Sequence, residues 1–245
     1  IPMTVLNTIV AKQLKEFKIE VDALIDDKGL KKDEAVFNIL REYIKESKAI
    51  RFDGDSYGEA WEKEAKKRGL SNNKTTPEAL KVKITKRVID LFEEMEVMNK
   101  IELEARYEIE LELYTKRVQI ESRVLGDIAR NHIVPTAIIN QNTLLENTKN
   151  IKEIFGDDFK NIAKEQIELI MIISNHITEI NSLVNKMIDQ RKKANTLSGL
   201  KSSEDYCHKV KPFFEQIRYH CDKLETLVDD NLWPLTKYRE LLFTK

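Results

Sequence analysis

The sequence predicts an all-α protein: an elongated antiparallel bundle of long, kinked helices, preceded by a small, mainly helical N-terminal piece. Three observations carry this. Apolar side chains recur at three- and four-residue steps through most of the 245 residues, the spacing that gathers them on one face of an α-helix. Only seven glycines and five prolines occur, too few for a sandwich or barrel that must turn every ten residues or so. Charged residues make up 34% of the chain and hydrophobic ones 41%, enough to furnish both a wet and a dry face on each helix.

Taken in order, residues 4–26 place Val5, Leu6, Ile9, Val10, Leu14, Phe17, Val21 and Leu24 at helical spacing, and Gly29 stops the helix. Asp33–Ser47 repeats the pattern with Val36, Phe37, Leu40, Tyr43 and Ile44, so the two helices form a hairpin. In AIRFDGDSYG (49–58), Ile50 and Phe52 flank Arg51 in the alternation of a short strand, and Asp53-Gly54 turns the chain. A short helix around Trp61 and Ala65 ends near Gly69. The loop SNNKTT (71–76) follows, with Thr76 as N-cap and Pro77 in the first helical turn, where its missing N–H costs nothing. A domain boundary is expected here, dividing 1–76 from 77–245.

One helix is expected from Pro77 to about Met95. Asn99 and Glu102 then have the spacing of a capping box, opening a stretch from Lys100 to Ile133 that would span ~50 Å at ~1.5 Å per residue. Pro135 should kink it, because proline removes one ladder bond and clashes with the carbonyl four residues back. After a turn at Gly156-Asp157-Asp158, Phe159, Ile162, Gln166, Ile170, Ile173, Ile177, Ile180, Val184 and Met187 make a seam, and Tyr206, Val210, Phe213, Ile217, Cys221, Leu224 and Val228 supply its antiparallel partner. Pro212 should kink or delay that partner. The tail, 231–245, is rich in aromatic and apolar groups and should pack back on a surface.

The chemistry is sparse. Lys plus Arg (41) balance Asp plus Glu (42), so there is no basic field for nucleic acid, and no run of 18 apolar residues marks a membrane span. Two cysteines form no disulfide framework, which makes a reducing, cytoplasmic compartment the default. Asp205 and His208 have the spacing of one half of a di-metal motif. The second half is missing, since Ala129, Ile173 and Ile217 stand three residues before the other histidines. Cys207, His208, His220 and Cys221 lie ~18 to 21 Å apart as two pairs along a continuous helix, too far for one zinc ion. His132, one turn before Pro135, is a candidate functional or carbonyl-satisfying group at the kink. Asp53 and Asp55 are candidate ligand-loop carboxylates, with simple turn chemistry as the other reading. Trp233 and the tyrosines suit core or interface anchoring. No nucleophile elbow, phosphate loop or H-E-x-x-H motif occurs. From the residues alone, a stand-alone helical coiled-coil interaction module ranks first. The start at Ile1, with Met3 two places in, points to a piece of a longer chain.

Four stretches resemble the C-terminal part of type III, or long-chain, glutamine synthetases: TVLNTIVAKQL (4–14), RFDGDSYGEAWEKEAKKRGLSNNKTTPEAL (51–80), YTKRVQIESRVLGDIARNHIVPTAIINQNTLLEN (114–147) and KVKPFFEQIRYHCDKLETLVDDNLWPLTKYRELLFTK (209–245). The resemblance implies that 1–76 is the end of a catalytic domain and 77–245 the helical domain added in the long class. It implies a full-length parent that uses ATP and magnesium to join glutamate and ammonia and assembles as double hexameric rings. The family's metal-binding glutamates and phosphate-facing arginines have no match here, so no catalytic, cofactor-binding or metal residue is carried over. The expected partners are the upstream catalytic domain and neighbouring subunits, with Pro135 redirecting the helical domain and Trp233 and Tyr238 anchoring contacts.

Overall fold

The computed structural model describes residues 2–243; Thr244 and Lys245, the end of the predicted tail, lie outside them. Every regular element is helical, and no strand occurs among the described residues. Residues 47–50, where a strand was expected to begin, form a 3-10 turn that leads into extended but unpaired backbone at Arg51. Alternation over three residues is too short a signal without a neighbouring strand to pair with. The chain divides into two compact units, residues 1–110 and 111–245.

The first unit opens with α1 (Pro2–Lys28) and α2 (Lys32–Glu46). Gly29, at φ 63°, donates its N–H to Ile25 at 2.9 Å, so the left-handed residue that ends α1 also satisfies one of its last carbonyls. Val21, Ala35 and Ile39 form the hairpin core, flanked by Phe17, Leu24 and Tyr43. Phe17 meets Tyr43 edge-on, with ring centroids 5.9 Å apart.

After α3 (Glu59–Lys67), the expected Pro77–Met95 helix is broken into α4 (Thr76–Lys81), a 3-10 turn (Val82–Ile84) and α5 (Lys86–Glu94). Thr85 takes an extended backbone and its hydroxyl donates to the Val82 carbonyl at 2.8 Å. The β-branched run Val82, Ile84, Thr85 loses more side-chain freedom in a helix, and threonine offers the backbone another partner at that point. The N-cap of α4 is Thr75 rather than Thr76, and the Glu78 carboxylate accepts from the Thr75 N–H at 3.3 Å. The second predicted cap is present in full: Asn99 and Glu102 exchange two hydrogen bonds of 2.9 Å at the head of α6 (Lys100–Asp127).

The second unit is built on α7 (Val134–Phe155), α9 (Lys164–Ala194) and α11 (Pro212–Glu225), with α10 (Gly199–Asp205) closing the turn after α9. Ile173, Ile180, Val184, Met187, Tyr206, Val210, Ile217 and Leu224 are wholly buried in one core. The α9 seam starts later than its sequence period suggested. Gly156–Asp158 is a 3-10 turn and α8 (Phe159–Ile162) is a single turn ending at Ala163, so Ile162 faces solvent while Ala163 is buried.

Both prolines are absorbed by π turns. Ile128–Ile133 precedes Pro135, and Tyr206–Val210 precedes Pro212. In each case the N–H just before the proline bonds five residues back, from Val134 to Ala129 and from Lys211 to Tyr206. The wider turn lets the helix run on past a residue that has no donor.

Candidate functional site

The loop bearing Asp53 and Asp55 is held by an aromatic stack. Phe52 lies on Trp61 at 4.3 Å between centroids, and the Arg68 guanidinium sits 5.8 Å from each ring. Arg68 also donates to the Arg51 carbonyl at 2.7 Å and to Glu64 at 2.7 Å, and this partner holds the Glu64 carboxyl below its usual range. The ring of Phe52 folds back over Gly54 so closely that a Cβ there would come within 2.5 Å of it. Asp55 accepts from the Tyr57 N–H at 2.9 Å, the turn chemistry considered from sequence. Asp53 instead lines an open cleft with Lys45, Lys48, Arg51 and Arg68. Both carboxylates are exposed.

His132 lies in the π turn and is exposed, and its carbonyl accepts from the Thr136 hydroxyl at 2.9 Å. Asn131 donates its side-chain amide to the Asp127 carboxylate. Pro135 is exposed.

The aromatic pair in the tail is separated by the fold. Trp233 is half-buried against the bundle core, and the ammonium of Lys237 lies 5.9 Å from its ring. Lys237 also donates to the Glu225 carbonyl at 3.1 Å and pairs with Asp230, tying the tail to the end of α11. Tyr238, in the one-turn helix α12 (Tyr238–Leu241), is 76% exposed.

Among the described residues, no group of three or more His, Cys, Asp or Glu side chains could hold a metal ion. The antiparallel pairing of α9 and α11 does join His176 and His220, whose Nδ1 atoms lie 2.9 Å apart. Burial, then the charges of His220 and Lys223, push the His176 pKa down. Sequence spacing could not show this pair, because it joins residues 44 positions apart and depends on the register of two helices.

One surface of the first unit is apolar. Met3, Leu6, Val10 and Leu14 continue the steps of Phe17, Val21 and Leu24 along one face of α1, yet α2 ends opposite the middle of that helix. The first four therefore stand 72%, 61%, 55% and 62% exposed. On another side of the same helix, Thr8 is buried, Val5 lines an apolar pocket with Phe92 and Leu103, and Lys12 pairs with Glu94. α2 adds a second exposed row, Phe37, Leu40 and Ile44, on the side away from its buried residues. Contiguous apolar patches mark contacts with protein, membrane or ligand.

Residues 35–152 match the family of the glutamine synthetase C-terminal domain. The chain is 47% identical to a glutamine synthetase of Bacteroides fragilis over 245 residues, 99% of this chain and 34% of that protein. This chain corresponds to the C-terminal region of a type III glutamine synthetase. It is 31% identical to the type-3 glutamine synthetase of Dictyostelium discoideum over 254 residues, and 26% identical to a glutamine synthetase of Butyrivibrio fibrisolvens over 212. These matches cover 100% and 86% of the chain. It spans about a third of the length of each of these curated relatives. The exposed apolar rows of α1 and α2 thus occur in a synthetase segment whose relatives are far longer than the segment itself. No helix among the described residues is long and apolar enough to cross a membrane.

Proposed function

We propose that this chain is the structural, assembly-supporting C-terminal part of a cytoplasmic glutamate–ammonia ligase. In the parent, ATP and magnesium activate the γ-carboxylate of glutamate as an acyl phosphate, and ammonia displaces phosphate to give glutamine. Residues 1–76 end the catalytic domain and 77–245 form the helical domain of the long class, within a homo-oligomer of double hexameric rings. The observation that carries this reading is identity of 47% sustained over 99% of the chain yet only 34% of the relative.

The uncovered row on α1 supplies the physical role. A helix that has already buried one side against α5 and half of another against α2 still presents Met3, Leu6, Val10 and Leu14 to water. The upstream catalytic portion covers them in the whole enzyme. Acyl-phosphate chemistry needs metal ions and fixed cations around the transferred phosphoryl group, and this reading assigns those groups to the upstream portion. The test compares the 245-residue chain and its full-length parent in an assay for phosphate release with direct detection of glutamine. Glutamine should form only with the parent. Synthesis by the chain alone would overturn the structural role, and an inactive parent would overturn the synthetase assignment.

A further inference from the structure

We propose that the cleft between the C-terminal end of α6, with its π turn, and the C-terminal third of α9 binds a phosphate group. Three arginines line this pocket of about 230 Å3: Arg123, Arg130 and Arg191. None of them forms an ion pair with a carboxylate among the described residues. Arg130 spends one guanidinium nitrogen on the Asn181 carbonyl, at 3.0 Å, and on the side chain of Asn185, both uncharged. Its Nε is buried with no hydrogen-bond partner. The carboxylate on the rim, Asp127, is engaged by the amide of Asn131.

Like charges crowd at this site. Arg191 is partly desolvated and feels the charge of Arg123, and both effects lower its pKa, burial more than its neighbour. Three guanidinium groups share the cleft with one carboxylate, Asp127, that pairs directly with none of them, and an anion placed between Arg123 and Arg191 relieves their repulsion. The floor of the cleft is Gly126, where α6 and α9 approach closely: a Cβ there would lie 3.4 Å from Val184 and 3.5 Å from Met187. The pocket holds several times the ~30 Å3 that one water occupies in the liquid, room for a tetrahedral anion. Planar guanidinium forks match phosphate oxygens in pairs, and such charge-assisted bonds are the strong ones. The chemistry therefore selects a compact dianion over a single carboxylate.

The experiment titrates the 245-residue chain at low ionic strength with inorganic phosphate and, in a second arm, with glycerol 3-phosphate, using calorimetry and backbone amide shifts. One saturable site is expected, with Kd below about 1 mM for at least one of the two probes. The tighter probe tells whether the group is taken free or as an ester. Arg123→Gln and Arg191→Gln should each weaken binding by about tenfold or more, while Arg218→Gln, which removes an arginine paired with Asp222 on α11, should leave it unchanged. Arg123 is exposed, so its replacement should not disturb folding, and it decides the matter alone if Arg191→Gln fails to fold. Binding of both probes that does not saturate by about 10 mM, or that is indifferent to Arg123→Gln, would overturn the proposal.

Discussion

Replacing Leu6 and Leu14 together by aspartate should have opposite consequences in the two contexts in which this segment can be studied. In the chain alone both side chains are about three-fifths exposed, at 61% and 62%, and the change should alter stability by less than about 0.5 kcal/mol, as for most surface substitutions. In the full-length synthetase the same positions should be covered. Full burial of a leucine is worth about 1.5–3 kcal/mol, so covering the three-fifths now exposed contributes about 1–2 kcal/mol at each site and about 2–4 kcal/mol for the pair. A carboxylate forced into that contact adds a desolvation cost on top. Amide hydrogen exchange over residues 3–14 reads this directly, because protection reports the free energy of local opening. Exchange should slow by well over tenfold when the chain is part of the whole protein, and the double variant should restore the faster rate. Equal exchange of residues 3–14 in both contexts, or a variant tolerated equally in both, would refute the docking role of α1.

Other expectations follow from the bundle. Leu224 is wholly buried, so Leu224→Ala should cost about 3–5 kcal/mol, from three lost carbons at about 0.8 kcal/mol each plus the cavity, measured by reversible denaturant melts. Tyr206→Phe should cost about 0.5–1.5 kcal/mol in the same melts, the net worth of an ordinary hydrogen bond, since its buried hydroxyl donates to Asn195 at 2.6 Å and accepts from Gln119 at 3.1 Å, while those two amides keep their bond to each other at 2.9 Å. Because the folded His176 pKa is depressed, its contribution to stability is complete above the unfolded value of about 6.5 and is lost as the pH falls through the lower folded value. His176→Gln should flatten that part of the stability–pH profile. Burial pushes the Cys221 thiol up to about 12, so alkylation near pH 8 should label it only as fast as the bundle opens, and rapid labelling of the folded chain would place it outside the core.

Much of the helical content was legible from local rules, because those rules act within one element. Gly29 ends α1 through its left-handed backbone, Asn99 and Glu102 cap α6 within three residues of each other, and the step of three and four from Ile173 to Met187 marks a face whatever it packs against. The family was legible too, since long runs of ordered residue identities survive without reference to coordinates. Local pattern failed where two readings were nearly equal in energy. At Val82–Thr85 the apolar period runs on while the β-branched residues and the Thr85 hydroxyl break the helix. At the prolines 135 and 212, where the sequence leads one to expect a kink, the chain stays helical and the backbone takes one π turn before each. The candidate sites depended still more on tertiary structure. His176 meets His220, and Arg191 meets Arg123 and Arg130, only because α9 lies in one register against its neighbours. Local sequence determines which face of a helix is apolar, since side-chain direction repeats every 3.6 residues; which polar groups meet across two helices depends on their relative shift, and only the packing of the whole core sets that.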